Sequence, residues 1–188
     1  MKNKMISLLL ALACCTGITA QKKLSFSSQN YAGITIGETR TDLQVQTING
    51  VKWKQWFGGI GTGIDWYYFR SIPVFASVNR SFLQKGKRSM LFSADAGINF
   101  PWEQMRYYSF DEVNAKQYPG LYWAAGFGYK LGVGKSDNSI LLHFGYSYKK
   151  LEERVTSTFP CFNPPCTVFT ESFDYRLKRL SIRLGWGF

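Results

Sequence analysis

Beyond about residue 30 the chain reads with a period of two, broken by clusters of Gly, Ser, Asn and Pro; this is the pattern of strands and turns, not of helices. From Leu121 to Val133, the residues Leu121, Trp123, Ala125, Phe127, Tyr129, Leu131 and Val133 share one face. Tyr122, Ala124, Gly126, Gly128, Lys130 and Gly132 share the other. In the next run, Ile140, Leu142, Phe144, Tyr146 and Tyr148 oppose Ser139, Leu141, His143, Gly145, Ser147 and Lys149. Met90, Phe92, Ala94, Ala96, Ile98 and Phe100 likewise oppose Leu91, Ser93, Asp95, Gly97 and Asn99. Trp56, Ile60, Ile64, Trp66 and Tyr68 stand against Gly59, Gly61, Gly63 and Asp65, and Ile72, Val74, Ala76 and Val78 against Phe75, Ser77 and Asn79. Two shorter, weaker strands are expected near Tyr31–Glu38 and Leu43–Ile48. With the closing "LSIRLGWGF" the total comes to about eight.

The side on which the large apolar residues lie decides the environment. A soluble sandwich or lipocalin-like barrel turns them inward and covers its outside with charge. Here the opposite face is mostly Gly, Ala and Ser with a few charged residues, a poor water-facing surface but a good lining for a narrow tube. The apolar face therefore points outward into lipid. Unpaired backbone groups cost several kcal/mol each in hydrocarbon, so the sheet must close. The expected fold is all-β, an eight-stranded antiparallel up-and-down transmembrane β-barrel. Aromatic residues make up 17% of the chain, enough for two girdles at the membrane surfaces. The expected interface aromatics are Trp56, Trp66, Tyr68, Trp102, Trp123, Tyr146 and Tyr148.

Short turns at "INGVK", "LQKGKR" and "GVGKSDN" would mark the end that carries both termini. Long connections over 102–120 and 152–170, with the much shorter "ETRTD" and "YFRSI", would mark the other. The first twenty residues, with Lys2 and Lys4, an apolar run from Met5 to Ala13 and small residues up to Ala20, have the layout of a cleaved signal peptide. The mature domain is expected over 21–188. Leu12 stands one position too close to Cys14 for the usual lipobox order, so lipidation is not expected. Losing Lys2 and Lys4 lowers the formal charge from +11 to +9, because the leader holds no acidic residue. The basic residues sit in turns and at single strand positions. An exported chain of this kind meets anionic lipid before nucleic acid, so no nucleic-acid partner is expected.

The leader, the glycine-rich alternation of "FGGIGTGIDWYYF" and "AAGFGYKLGVG", and the terminal "LSIRLGWGF" together resemble the small Gram-negative outer-membrane β-barrel proteins, of the eight-stranded OmpA/OmpX-like type. The resemblance covers nearly all of the mature chain. It implies an outer-membrane location, a monomer, contact with outer-membrane lipids including lipopolysaccharide, and recognition by the outer-membrane assembly machinery. Leu184, Trp186 and Phe188 match the positions of that family's C-terminal assembly signal. The family's architecture carries no single activity. The role expected is structural or surface-binding, with a filled polar lumen and two large outer loops. The alternatives are a narrow channel or carrier for small or lipophilic solutes and, further off, a lipid-modifying enzyme.

Alternation turns Asp65, Asp95, Lys130, His143, Lys149, Arg179 and Arg183 into the lumen, where unpaired charge is costly, so these residues are expected to pair with one another. His143 shares its face with Asp95 and Ser147, but a narrow polar lumen produces such triples by chance; no catalytic residue is assigned. "GGIGTG" opens no helix, and "GVGKS" has Tyr129 where a phosphate-binding loop needs glycine, so no nucleotide cofactor is expected. One His and two remote Cys lack metal-ligand spacing. Cys161 and Cys166 in "PCFNPPC" are the cysteines that remain after leader removal, and the export route predicts a disulfide between them, worth about 2 kcal/mol in unfolded-chain entropy. Pro160, Pro164 and Pro165 stiffen the same loop. In the other long loop, Ser109 and Glu112 have capping-box spacing for a short helix.

Overall fold

In the computed structural model, which describes residues 24–102, 113–134, 137–158 and 168–188, the alternating runs form nine strands. These are β1 (Ser25–Gly37), β2 (Thr41–Trp53), β3 (Trp56–Asp65), β4 (Ser71–Lys85), β5 (Arg88–Pro101), β6 (Val113–Tyr118), β7 (Gly120–Gly132), β8 (Ser139–Thr158) and β9 (Val168–Gly187). All pairings are antiparallel. The sheet closes on itself because β9 pairs with β8 on one side and with β1 on the other. Even Phe188 takes part: its N–H donates to Ser28 O at 3.0 Å and its O accepts from Ser28 N–H at 2.8 Å.

Nine elements make eight staves. β6 and β7 lie end to end along β8, with Tyr118 opposite Glu152 and Tyr122 opposite Lys149. Between them stands Pro119, which has no N–H to give the ladder and interrupts a strand that otherwise continues. The wall is thus eight-stranded and up-and-down, and part of the expected loop over 102–120 is strand. The same holds at 152–170: β8 and β9 reach 20 residues each, and only 159–167 lie between them. With β6, their upper parts form a three-stranded extension above the rim.

Two further expectations are corrected. The first two strands are neither short nor weak, at 13 residues each. The turn expected at "INGVK" lies inside β2, where Asn49 pairs with Ile60 and Gly50 with Gly59. A Cβ on Gly50 would sit 2.1 Å from Gly58 O, so this glycine serves close backbone approach and not reversal. The reversal comes at Lys54, whose φ is 54°, between the paired Trp53 and Trp56.

The alternation predicted from sequence is observed wall by wall. Phe127 (58% exposed) and Leu184 (60%) face out, whereas Tyr122 (0%), Phe75 and Ile48 face in and join Tyr31, Phe57, Leu91 and Leu141 in the core. Glycines make the narrow bore possible. A Cβ on Gly61 would lie 2.4 Å from the Phe75 ring, and one on Gly126 would lie 2.7 Å from the His143 ring.

Candidate functional site

The lumen is built in tiers. At the long-loop end, Asp65 on β3 is completely buried and accepts a hydrogen bond from Arg179 on β9 across the bore. Lys149 on β8 lies 3.4 Å from the same carboxylate. Its ammonium also donates to Tyr67 O (2.9 Å), Phe69 O (3.1 Å) and Ser71 Oγ (2.9 Å). These contacts hold the 66–70 turn folded into the mouth. Tyr67 and Phe69 are buried there, Tyr68 takes a positive φ of 64°, and Arg179 lies over the Tyr67 ring at 5.5 Å. The Asx-type bond from Tyr67 N–H to Asp65 Oδ1 (2.8 Å) fixes the turn's start.

The middle tier centres on Arg183 of β9. It donates to Gln46 Oε1, and Gln46 Nε2 in turn donates to Tyr122 OH at 3.0 Å. A second guanidinium nitrogen lies 2.9 Å from His143 Nδ1, and Asp95 is 3.9 Å away. A guanidinium can only donate, so His143 Nδ1 accepts and the ring's other nitrogen faces Ser93 Oγ. Toward the terminal end, Gln29 accepts from Asn79 (2.9 Å) and Tyr31 (3.0 Å).

Six of the seven residues expected in the lumen are thus buried inside it, and they meet in two groups: Asp65 with Arg179 and Lys149, and Arg183 with His143 and Asp95. Lys130 stands apart, half-buried at the terminal mouth and joined to neither group. His143 has no hydrogen bond to Asp95 or Ser147; its partners are Ser93 and Arg183, and Ser147 Oγ is unpartnered. Among the described residues no group of three or more His, Cys, Asp or Glu is placed to hold a metal. The sequence reading missed Gln46, Ser93, Tyr67 and Lys52. Parity places the first three inward, but their importance comes from partners on distant strands.

The outside carries two aromatic belts. Trp66, Tyr68, Trp102, Trp123, Tyr146 and Tyr148 lie toward the long-loop end, and Trp56 lies at the terminal end with Trp53 and Trp186. Trp123 and Tyr148 stack at 6.0 Å, while Arg70 lies over Trp102 (5.2 Å) and Arg80 over Trp56 (5.1 Å). Leu184, Trp186 and Phe188 all face outward. On the wall of β9, β1, β2 and β3 the small side chains Ala32, Thr47 and Thr62 floor a groove of about 600 Å³, bordered by Val45, Ile64 and Trp186.

A closed sheet, apolar outside and charged within, is the architecture of outer-membrane barrels, and comparison with solved structures agrees. The crystal structure of the outer membrane protein OprG from Pseudomonas aeruginosa aligns over 88% of this chain and 97% of its own, with a TM-score of 0.57 at 8% identity. The solid-state NMR structure of outer membrane protein AlkL in DMPC lipid bilayers aligns over 90% of this chain and 92% of its own, with a TM-score of 0.51 at 10% identity. No family model matches the sequence, and no curated protein matches it. At such identities the likeness is one of fold: a bilayer-spanning antiparallel barrel.

The expected leader over 1–20, Cys161 and Cys166 with their prolines, and Ser109 and Glu112 lie outside the described residues.

Proposed function

We propose that this protein is an outer-membrane barrel, closed to solutes, whose working part is the structure above its outer rim. The observation that carries this reading is the cross-bracing of the bore: Arg179 to Asp65, and Arg183 to Gln46 to Tyr122, each spanning the lumen with fully buried side chains. An eight-stranded barrel is just wide enough for such filling. What remains for contact with other molecules is the extension made by β6 and the upper parts of β8 and β9, where Val168, Phe169 and Phe173 are exposed. In this reading the termini face the periplasm, and the apolar wall contacts outer-membrane lipids, lipopolysaccharide in the outer leaflet. The assembly machinery reads Leu184, Trp186 and Phe188, the barrel acts as a monomer, and no catalytic step is involved.

Two experiments test this. Fractionation should recover a heat-modifiable protein in the outer membrane, and the purified barrel in a planar bilayer should show no single-channel conductance. Steady open-channel currents would refute the closed lumen, and activity on a lipid abolished by His143→Ala in a folded barrel would refute the non-enzymatic reading.

A second reading, a carrier for lipophilic solutes, draws on the wall groove of about 600 Å³ over Ala32, Thr47 and Thr62. Filling it with Ala32→Trp should abolish uptake of a lipophilic probe if the carrier reading holds, and should leave cells unaffected if the barrel is only a platform.

A further inference from the structure

Charge is distributed unevenly between the two ends. The described carboxylates outside the bore cluster at the long-loop end: Glu38, Asp42, Glu152, Glu153, Glu171 and Asp174. The terminal end has Asp137 alone, against Lys52, Lys54, Lys85, Lys87, Arg88 and Lys130. Several of these cations are gathered into one place. A cavity of about 300 Å³ opens at the terminal mouth between β2, the β4–β5 turn and β7, lined by Lys52, Lys87, Arg88 and Lys130 together with the donors Ser89 and Asn138.

Lys87 is engaged, donating to Gly134 O. Lys52, Arg88 and Lys130 have no carboxylate within ion-pair distance and no hydrogen-bond acceptor among the described residues. Lys52 and Lys130 are both half-buried and have given up part of their hydration, and the one carboxylate lining the cavity, Asp137, acts on Lys130 from beyond ion-pair distance. Above them the cup narrows to a space of about 20 Å³ that shares Lys52, Ser81 and Lys130 and runs to Gln29, Asn79 and Leu91. The bore is closed there, so a ligand entering the cup is held and not passed on.

We propose that this cup is a binding site for a phosphate group. Three cations, none of them in an ion pair, exceed what the single carboxylate of Asp137 can neutralise. A tetrahedral phosphate offers several acceptor oxygens at once, enough to engage Lys52, Lys130 and Arg88 while Ser89 and Asn138 donate to the remainder. Asp137 at the rim disfavours a ligand of high negative charge, which fits a single phosphate group and not a polyphosphate. The group can be supplied by free phosphate or by the headgroup of an anionic lipid in the adjoining leaflet.

The test uses the full chain refolded in a non-ionic detergent, with heat-modifiability as the check on folding. Inorganic phosphate is titrated calorimetrically at constant ionic strength, and in a second arm the barrel is placed in nanodiscs of phosphatidylcholine with or without phosphatidylglycerol. Saturable one-to-one phosphate binding in micelles identifies the free anion as a ligand. Retention of phosphatidylglycerol alone identifies the lipid. In either case the Lys52→Gln, Lys130→Gln double variant should weaken binding at least about tenfold, the loss expected for charged hydrogen bonds. Lys54→Gln, whose ammonium lies over Trp53 outside the cup, should leave binding unchanged. Absence of saturable binding in both arms overturns the proposal, as does an equal loss in Lys54→Gln, which would reduce the effect to diffuse rim charge.

Discussion

Arg179 on the last strand donates a hydrogen bond to Asp65 on the third, both side chains completely shielded from solvent and their strands separated by β1 and β2 around the wall. Lys149 shares the same carboxylate, so one anion compensates two buried cations. Asp65→Asn should therefore cost about 3–5 kcal/mol, the range for breaking a buried ion pair from one side. Urea unfolding of the refolded barrel measures it; a loss below about 1 kcal/mol would show that the cluster is hydrated and unimportant to stability.

Lys149 has a separate task. Its bonds to Tyr67 O, Phe69 O and Ser71 Oγ hold the 66–70 turn in the mouth. Lys149→Met should leave Asp65 paired with Arg179 but release the turn, so that trypsin cuts after Arg70 at least about tenfold faster, as local opening becomes cheaper. Unchanged cleavage would mean that Tyr67 and Phe69 anchor the turn by packing alone.

The bore tolerates no added volume at Gly61, where a Cβ would lie 2.4 Å from the Phe75 ring. Gly61→Val is expected to destabilise by about 1–3 kcal/mol through overpacking. The Gly61→Val, Phe75→Ala pair should recover part of that in the same unfolding assay. If the double variant is as unstable as the sum of the single ones, the two positions do not compete for space.

Ser28 and Phe188 exchange two backbone hydrogen bonds at the seam. Deleting Phe188 should lower the heat-modifiable, membrane-inserted fraction severalfold, whereas Phe188→Tyr should keep it near the parent. Normal insertion of the deletion would remove the terminal aromatic from the assembly signal.

The architecture was legible in the sequence because parity is a local property. Each strand announces its own inward and outward faces, and in a barrel the outward face is fixed by the solvent. Asp65 and Arg179 were both assigned to the lumen on that basis. What parity cannot give is which inward residues meet, since that depends on the tilt and stagger that bring Asp65 of β3 and Arg179 of β9 to one level of the bore. Lys149 shows the same limit: three of its acceptors belong to or adjoin a turn, and two are backbone carbonyls with no sequence signature. Asn49-Gly50 misled for a related reason. The dipeptide favours a hairpin turn, but glycine also suits a strand whose neighbour comes too close for a Cβ, and tertiary packing decided between the two. Pro119 could have been read correctly, because a proline bounded by alternating residues on both sides marks an interrupted strand as readily as a loop.

The β1–β9 ladder also governs how the molecule comes to be. It joins segments that are nearly the whole chain apart, so its closure entropy is the largest of any contact in the fold, and none of it is repaid by the local hairpins that precede it. Until those two strands meet, the growing sheet presents two bare rims, each able to capture another chain. The final pairing is therefore the slow and hazardous event in maturation, and protection of the open rims is the service such a chain most needs on its way to the membrane.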